Sequence, residues 1–194
     1  MTGERVLRAD ARRNRARLLE VAESVFATQG VEVPIEEVAR TAGVGVGTVY
    51  RHFPTKKDLV EAIVIDRMGR LVHRARTLAA QPDSPDALFE VVDWIVAEVA
   101  VKKHLEAAST TPGAPKSEAL EASAADLRAV LSELLATGQA GGAVRGDIEL
   151  SDVLMALYGL SAAAEHYGWD ASRRHRAIGL AFEGLRPRDQ SLAR

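Results

Sequence analysis

The stretch 35–57, IEEVARTAGVGVGTVYRHFPTKK, constrains this chain more than any other part of it. Apolar residues recur at helical spacing on both sides of Gly43, and Pro54-Thr55 opens a third helical run. A helix, a tight turn at Gly43, a second helix and the start of a third make a helix-turn-helix with its exit helix attached. This arrangement presents one short helix to a DNA major groove.

The second helix of the pair spans roughly 45–53. At about 100° per residue, Val46, Val49 and Phe53 cluster on one side, while Gly47, Thr48 and Arg51 fall on the other. Val44, Val49 and Phe53 are expected to plug a small core. The outward side carries no large apolar residue and is free to approach base-pair edges. Gly47 allows close backbone approach. Thr48 can hydrogen-bond or touch a thymine methyl, and Arg51 can fork onto guanine O6 and N7. Tyr50 and His52 flank this face, where a hydroxyl and an imidazole can meet phosphate oxygens.

Thr55 reads as the N-cap of the next helix, with Asp58 at N3 closing a box-like pair. Lys56 and Lys57 then fill the first turn. Cations there oppose the helix dipole, a small cost that a docked phosphate offsets.

On these residues, 14–59 resemble the DNA-binding domain of the TetR family of transcriptional regulators. The resemblance rests on RARLLEVAESVFATQG (15–30), the helix-turn-helix and GTVYRHFPTKKDLV (47–60). It implies an all-α homodimer on a near-palindromic operator, usually a repressor released by a small molecule. It also implies that Thr48, Tyr50, His52 and Lys57 occupy DNA-contacting positions. Two departures follow. Val33-Pro34 stands where the family often has a capping Thr. Gly45 and Val46 replace the polar pair often found at the recognition-helix start, so base readout leans on fewer side chains.

The net charge of −2 does not point to DNA, but its distribution does. Residues 1–60 carry ten Lys and Arg against eight Asp and Glu, and the remainder fifteen against nineteen. Six Arg and one Asp lie within 5–17, an arm able to follow phosphates or enter a minor groove. With no Cys, disulfides, thiol catalysis and zinc–thiolate sites are excluded. No apolar run reaches the roughly 18 residues of a membrane span, and no signal-peptide pattern opens the chain. The expected location is the cytoplasm.

The expected fold is all-α: a three-helix head followed by a helical bundle, about nine helices in total. Residues 1–55 form the expected DNA-binding domain, and 56–194 the effector-binding and dimerisation domain. The expected helices run from about Asp10 (as N-cap) to Thr28, Ile35 to Ala42, Lys56 to about Ala80, Asp86 to about Ala108 (one helix or a broken pair) and Ser117 to Ala136. The last two cover 151–168 and 171–186. Leu18, Ala22, Val25 and Phe26 form the first buried stripe. QPDSP (81–85) marks a boundary with Ser84 as a cap, and STTPGAP (109–115) a loop. Gly138 and Gly141-Gly142 are expected to end the Ser117 helix, with Ser151 and Asp170 capping the last two.

The run 153–164, VLMALYGLSAAA, carries no charge, so one face is expected on the core and the other on a partner. A two-fold interface is expected to use Leu157, Leu160, Ala164, Phe182 and Leu185. Trp94, His104, Met155 and Tyr158 combine apolar bodies with polar tips and are candidate pocket residues. The five His (52, 73, 104, 166, 175) show no ligand pairing, GVGVG (43–47) is not a phosphate loop, and no hydrolase or metalloprotease signature occurs. The reading is therefore a non-enzymatic regulator without metal or cofactor. Its expected partners are operator DNA, a small-molecule effector and a second copy. A constitutive dimeric DNA-binding module and a helical-bundle enzyme remain the alternatives.

Overall fold

A computed structural model describes residues 2–81, 85–96 and 117–187, with side chains described from Arg13 onward. It contains eight helices and no strand among those residues. They are α1 (Thr2–Gln29), α2 (Ile35–Ala42), α3 (Val46–His52), α4 (Lys56–Ala79), α5 (87–96), α6 (Glu118–Ala140), α7 (Leu150–His166) and α8 (Ala171–Glu183). Ser84, His104 and the 109–115 loop lie outside the described residues. The described residues divide into two compact units. One holds those up to Arg67 together with 117–120, and the other holds the rest.

In the first unit, α1 contributes the expected stripe. Leu18, Ala22, Val25 and Phe26 are buried against Val38 and Ala39 of α2, Val49 and Phe53 at α3, and Leu59, Val60 and Ile63 of α4. Gly30 ends α1 in the left-handed region, at φ 84°, with its N–H donating to the Phe26 carbonyl at 3.0 Å. Gly43 does the same after α2 at φ 70°, which makes the tight turn possible. Arg67 Nη1 of α4 lies 3.2 Å from Glu23 Oε1 of α1, an ion pair with side chains 10% and 23% exposed. One expectation fails at the start: α1 is already helical from Thr2, so Asp10 is not its cap and the Arg-rich 5–17 stretch is helix, not an extended arm.

The second unit buries Leu88, Val91 and Val92 of α5 with Val130, Leu131 and Leu134 of α6. Val153 and Leu157 of α7 and Ile178 and Phe182 of α8 complete this core. The α6 helix runs through Gly138, contrary to expectation, and stops at Gly141-Gly142. A Cβ at Gly138 would lie 2.9 Å from Val144 Cγ2 and 3.1 Å from the Pro85 carbonyl, so this glycine serves packing and not termination. Gly142, at φ 73°, makes the turn. Gln139 Nε2 donates to the carbonyls of Arg145 and Ile148, at 3.0 and 2.8 Å, and so pins the loop into α7. Asp147 hydrogen-bonds the Arg145 guanidinium and raises its pKa, and Arg145 Nη1 also donates to the Gly184 carbonyl. Asp170 caps α8 as expected, accepting from the Arg173 N–H at 2.7 Å. At α7 the cap position is Glu149, not Ser151, and the Glu149 N–H donates to Asp152 at 2.9 Å.

Candidate functional site

The α3 helix is one-sided. Val49 and Phe53 are buried, with Val44 and Val46 half-buried beside them in the head core. Gly47, Tyr50 and Arg51 are exposed, while Thr48 and His52 are half-buried on the flanks. Phe53 holds the helix exit: its N–H donates to the Val49 carbonyl at 2.8 Å, and the Arg15 guanidinium of α1 sits 5.1 Å from its ring centroid. The exposed face therefore rides on a fixed base, as a reading head requires.

The start of α4 is closed as a reciprocal cap. Asp58 Oδ2 accepts from the Thr55 N–H at 2.9 Å and from its hydroxyl at 2.8 Å, while the Asp58 N–H donates to Thr55 Oγ1 at 3.1 Å. Lys56 is half-buried and Lys57 exposed on that first turn. Pro34, at the N-cap of α2, has no hydrogen-bonding group in its side chain and makes no side-chain cap. On the next turn Arg40 donates twice to Glu37, at 2.8 and 2.6 Å, and these bonds hold the Glu37 carboxyl below its ordinary pKa.

Sequence reasoning missed one feature of this unit. The Ser117 hydroxyl, immediately before α6, donates to the Glu61 carboxylate of α4 and also caps α6 through the Leu120 N–H at 3.2 Å. The two residues are 56 positions apart, and neither belongs to a motif that signals the other.

In the second unit, Trp94 is half-buried with the Arg74 guanidinium 3.6 Å from its ring centroid. Met155 and Tyr158 are exposed, at 68% and 82%. Leu157, Ala164, Phe182 and Leu185 are buried within this chain's own core, and Leu160 is half-buried. The large apolar surface that α7 and α8 leave open is thus Met155, Tyr158 and, at 79%, Leu180. Gly159 and Gly179 are helical and exposed, and a Cβ on either would meet open space. No group of three or more potential metal ligands occurs among the described residues, and no helix there is long and apolar enough to cross a membrane.

Comparisons with known proteins agree with this geometry. Residues 18–63 match the family model described as bacterial regulatory proteins, tetR family, and 83–187 match the one described as transcriptional regulator SbtR-like, C-terminal domain. An HTH-type transcriptional regulator of Staphylococcus aureus is 41% identical over 59 residues, 30% of this chain and 32% of that protein. The match thus spans about a third of the length of such curated relatives. The crystal structure of a TetR transcription regulatory protein from Mycobacterium vanbaalenii is similar with a TM-score of 0.74 and 41% identity, covering 93% of this chain and 99% of that one. A TetR transcriptional regulator from Streptomyces coelicolor follows with a TM-score of 0.71 and 28% identity, covering 90% and 99%.

Proposed function

The chain belongs to the TetR family of DNA-binding transcriptional regulators, and from that premise we propose that it is a homodimeric repressor released from a near-palindromic operator by a small molecule. The one-sided α3 carries this reading, because its apolar residues are consumed by the head core while Gly47, Tyr50 and Arg51 remain open. Gly47, Thr48, Tyr50, Arg51 and His52 face the groove, with Arg51 reading guanine, while Val46, half-buried against the head core, borders that face at the start of α3. Lys56 and Lys57, on the capped first turn of α4, hold backbone phosphate. Residues 1–55 are the DNA-binding domain, and 56–194 serve effector binding and dimerisation in the cytoplasm.

Met155 and Tyr158 on α7 and Leu180 on α8 support a second copy docking on these helices, since large apolar side chains left in solvent mark interaction surfaces. Two recognition helices then meet successive major grooves about 34 Å apart. A ligand that prefers another spacing of the heads weakens operator binding by its differential affinity for the two states. One observation favours a second reading, a constitutive dimer with no small-molecule effector: the Trp94 ring already has Arg74 against it.

Selection from a random DNA pool at moderate salt tests the first step. Enrichment of a near-palindrome with half-sites about one helical turn apart supports the dimeric reader; recovery of unrelated sequences rejects it. A thermal-shift screen then supplies small-molecule candidates. If every stabilising ligand leaves operator affinity unchanged, the release mechanism is wrong and the constitutive reading replaces it.

A further inference from the structure

Lys56 and Lys57 open α4 as cations, and the acidic residues of its first two turns are Asp58 and Glu61. On a helix surface, side chains four positions apart stand about 5–6 Å from each other at Cβ, and a lysine and a glutamate at that spacing readily pair. Lys57 and Glu61 have the spacing, yet Lys57 is exposed and takes part in no ion pair among the described residues.

Each carboxylate is held by a hydroxyl instead. Asp58 accepts from Thr55, its own capping partner, and Glu61 accepts from Ser117 at the start of α6. A hydroxyl is a neutral donor, so it fixes a carboxylate without consuming a cation. The two bonds that Ser117 makes are separable. Its oxygen caps α6 by accepting from the Leu120 N–H, a task that does not need the proton, and the proton goes to Glu61. The other strong cation beside Glu61, Arg15, shares a cleft with it and with Ser117 and lies over the Phe53 ring.

We propose that Ser117 is a positioning residue for DNA binding: its hydroxyl holds the Glu61 carboxylate off Lys57 and so leaves that ammonium open to a backbone phosphate. The inference rests on Lys57 being a phosphate contact. Without the tie, Glu61 turns along α4 to Lys57 and becomes an internal competitor of the phosphate. The chain must then break that pair before it binds any duplex. All sequences are weakened alike, because phosphate contacts carry no base information.

The test titrates Ser117→Ala, Glu61→Gln and Lys57→Ala, singly and in pairs, against a fluorescently labelled duplex of unrelated sequence at low salt. Ser117→Ala should weaken binding about twofold for each head on the duplex, the scale of one ion pair at this spacing. Glu61→Gln should raise affinity more in the Ser117→Ala background than in the wild type, because the competitor acts only when the tie is gone. With Lys57 already alanine, Ser117→Ala should cost nothing further. Ser117→Gly should lose as much DNA affinity as Ser117→Ala, although glycine is nearly as good as serine at a helix N-cap. Additive effects of Ser117→Ala and Glu61→Gln overturn the proposal, as does a Ser117→Ala loss that persists without Lys57 or that glycine does not reproduce. If Lys57→Ala itself leaves affinity and its salt dependence unchanged, Lys57 is no phosphate contact, a distinct failure that removes the premise as well.

Discussion

Trimming Tyr158 to alanine tests the two-fold interface in numbers. Tyr158 keeps 82% of its surface in solvent on α7, between Met155 and the glycine at 159. A tyrosine side chain covers about 150–250 Å² when buried, and reduction to alanine removes roughly 100 Å² of apolar contact. At about 25 cal/mol per Å², that is about 2.5 kcal/mol for one copy. A two-fold axis presents the change twice, so the dimer loses about 5 kcal/mol. The dissociation constant should then rise by about three to four powers of ten. Within a single chain the side chain packs on little, so intrinsic folding stability should move by no more than about 0.5 kcal/mol. Sedimentation velocity over a dilution series reads the dissociation midpoint, and circular dichroism of the dissociated chain reads the fold. A midpoint that stays where the wild type has it would refute the reasoning. So would a variant that loses its helices, since Tyr158 would then be serving the chain's own core.

Other outcomes follow from the same geometry. Arg51→Ala should weaken operator binding by about 1–3 kcal/mol and relax preference at one base pair; unchanged discrimination among operator variants in a competition assay removes Arg51 from the readers. Lys57→Ala should weaken all DNA about equally and lower the slope of log affinity against log salt by about one, which a fluorescence-anisotropy titration at several salt concentrations checks. Gly138→Ala should destabilise the second unit by about 1–3 kcal/mol, because its Cβ would sit 2.9 Å from Val144 Cγ2; a thermal midpoint equal to the wild type contradicts this. Thr55→Val should cost about 1 kcal/mol by removing the hydroxyl from the α4 cap, read as a lower urea midpoint, and a midpoint that does not fall argues against the reciprocal cap.

The head was legible because local chemistry fixes it. The left-handed turn at Gly43, the acidic first turn of α2 and the Thr55–Asp58 cap each leave a signature within four residues, so α2 and the start of α4 fall where the sequence places them. The start of α1 misled because Asp10 is as good a cap as any, yet nothing in the preceding residues breaks a helix. Gly138 misled for the opposite reason: glycine near a helix end usually stops it, and only the approach of Val144 and Pro85 reveals the packing role. The run 153–164 of α7 carries no charge and so shows no sequence asymmetry; which face meets the core depends on packing with its neighbours, and that put Leu157 inside and Tyr158 outside. The tie from Ser117 to Glu61 joins distant positions and has no local trace.

The Glu23–Arg67 pair has a practical bearing on how DNA affinity is measured. Because both side chains are largely withdrawn from solvent, mobile ions screen their attraction far less than that of a surface pair. The core of the head is apolar, and moderate sodium chloride barely affects its packing. Raising ionic strength should therefore leave the head intact while the added cations compete with the protein at the phosphates. The slope of a salt titration then counts the ions displaced from DNA, uncontaminated by any loosening of the protein that displaces them.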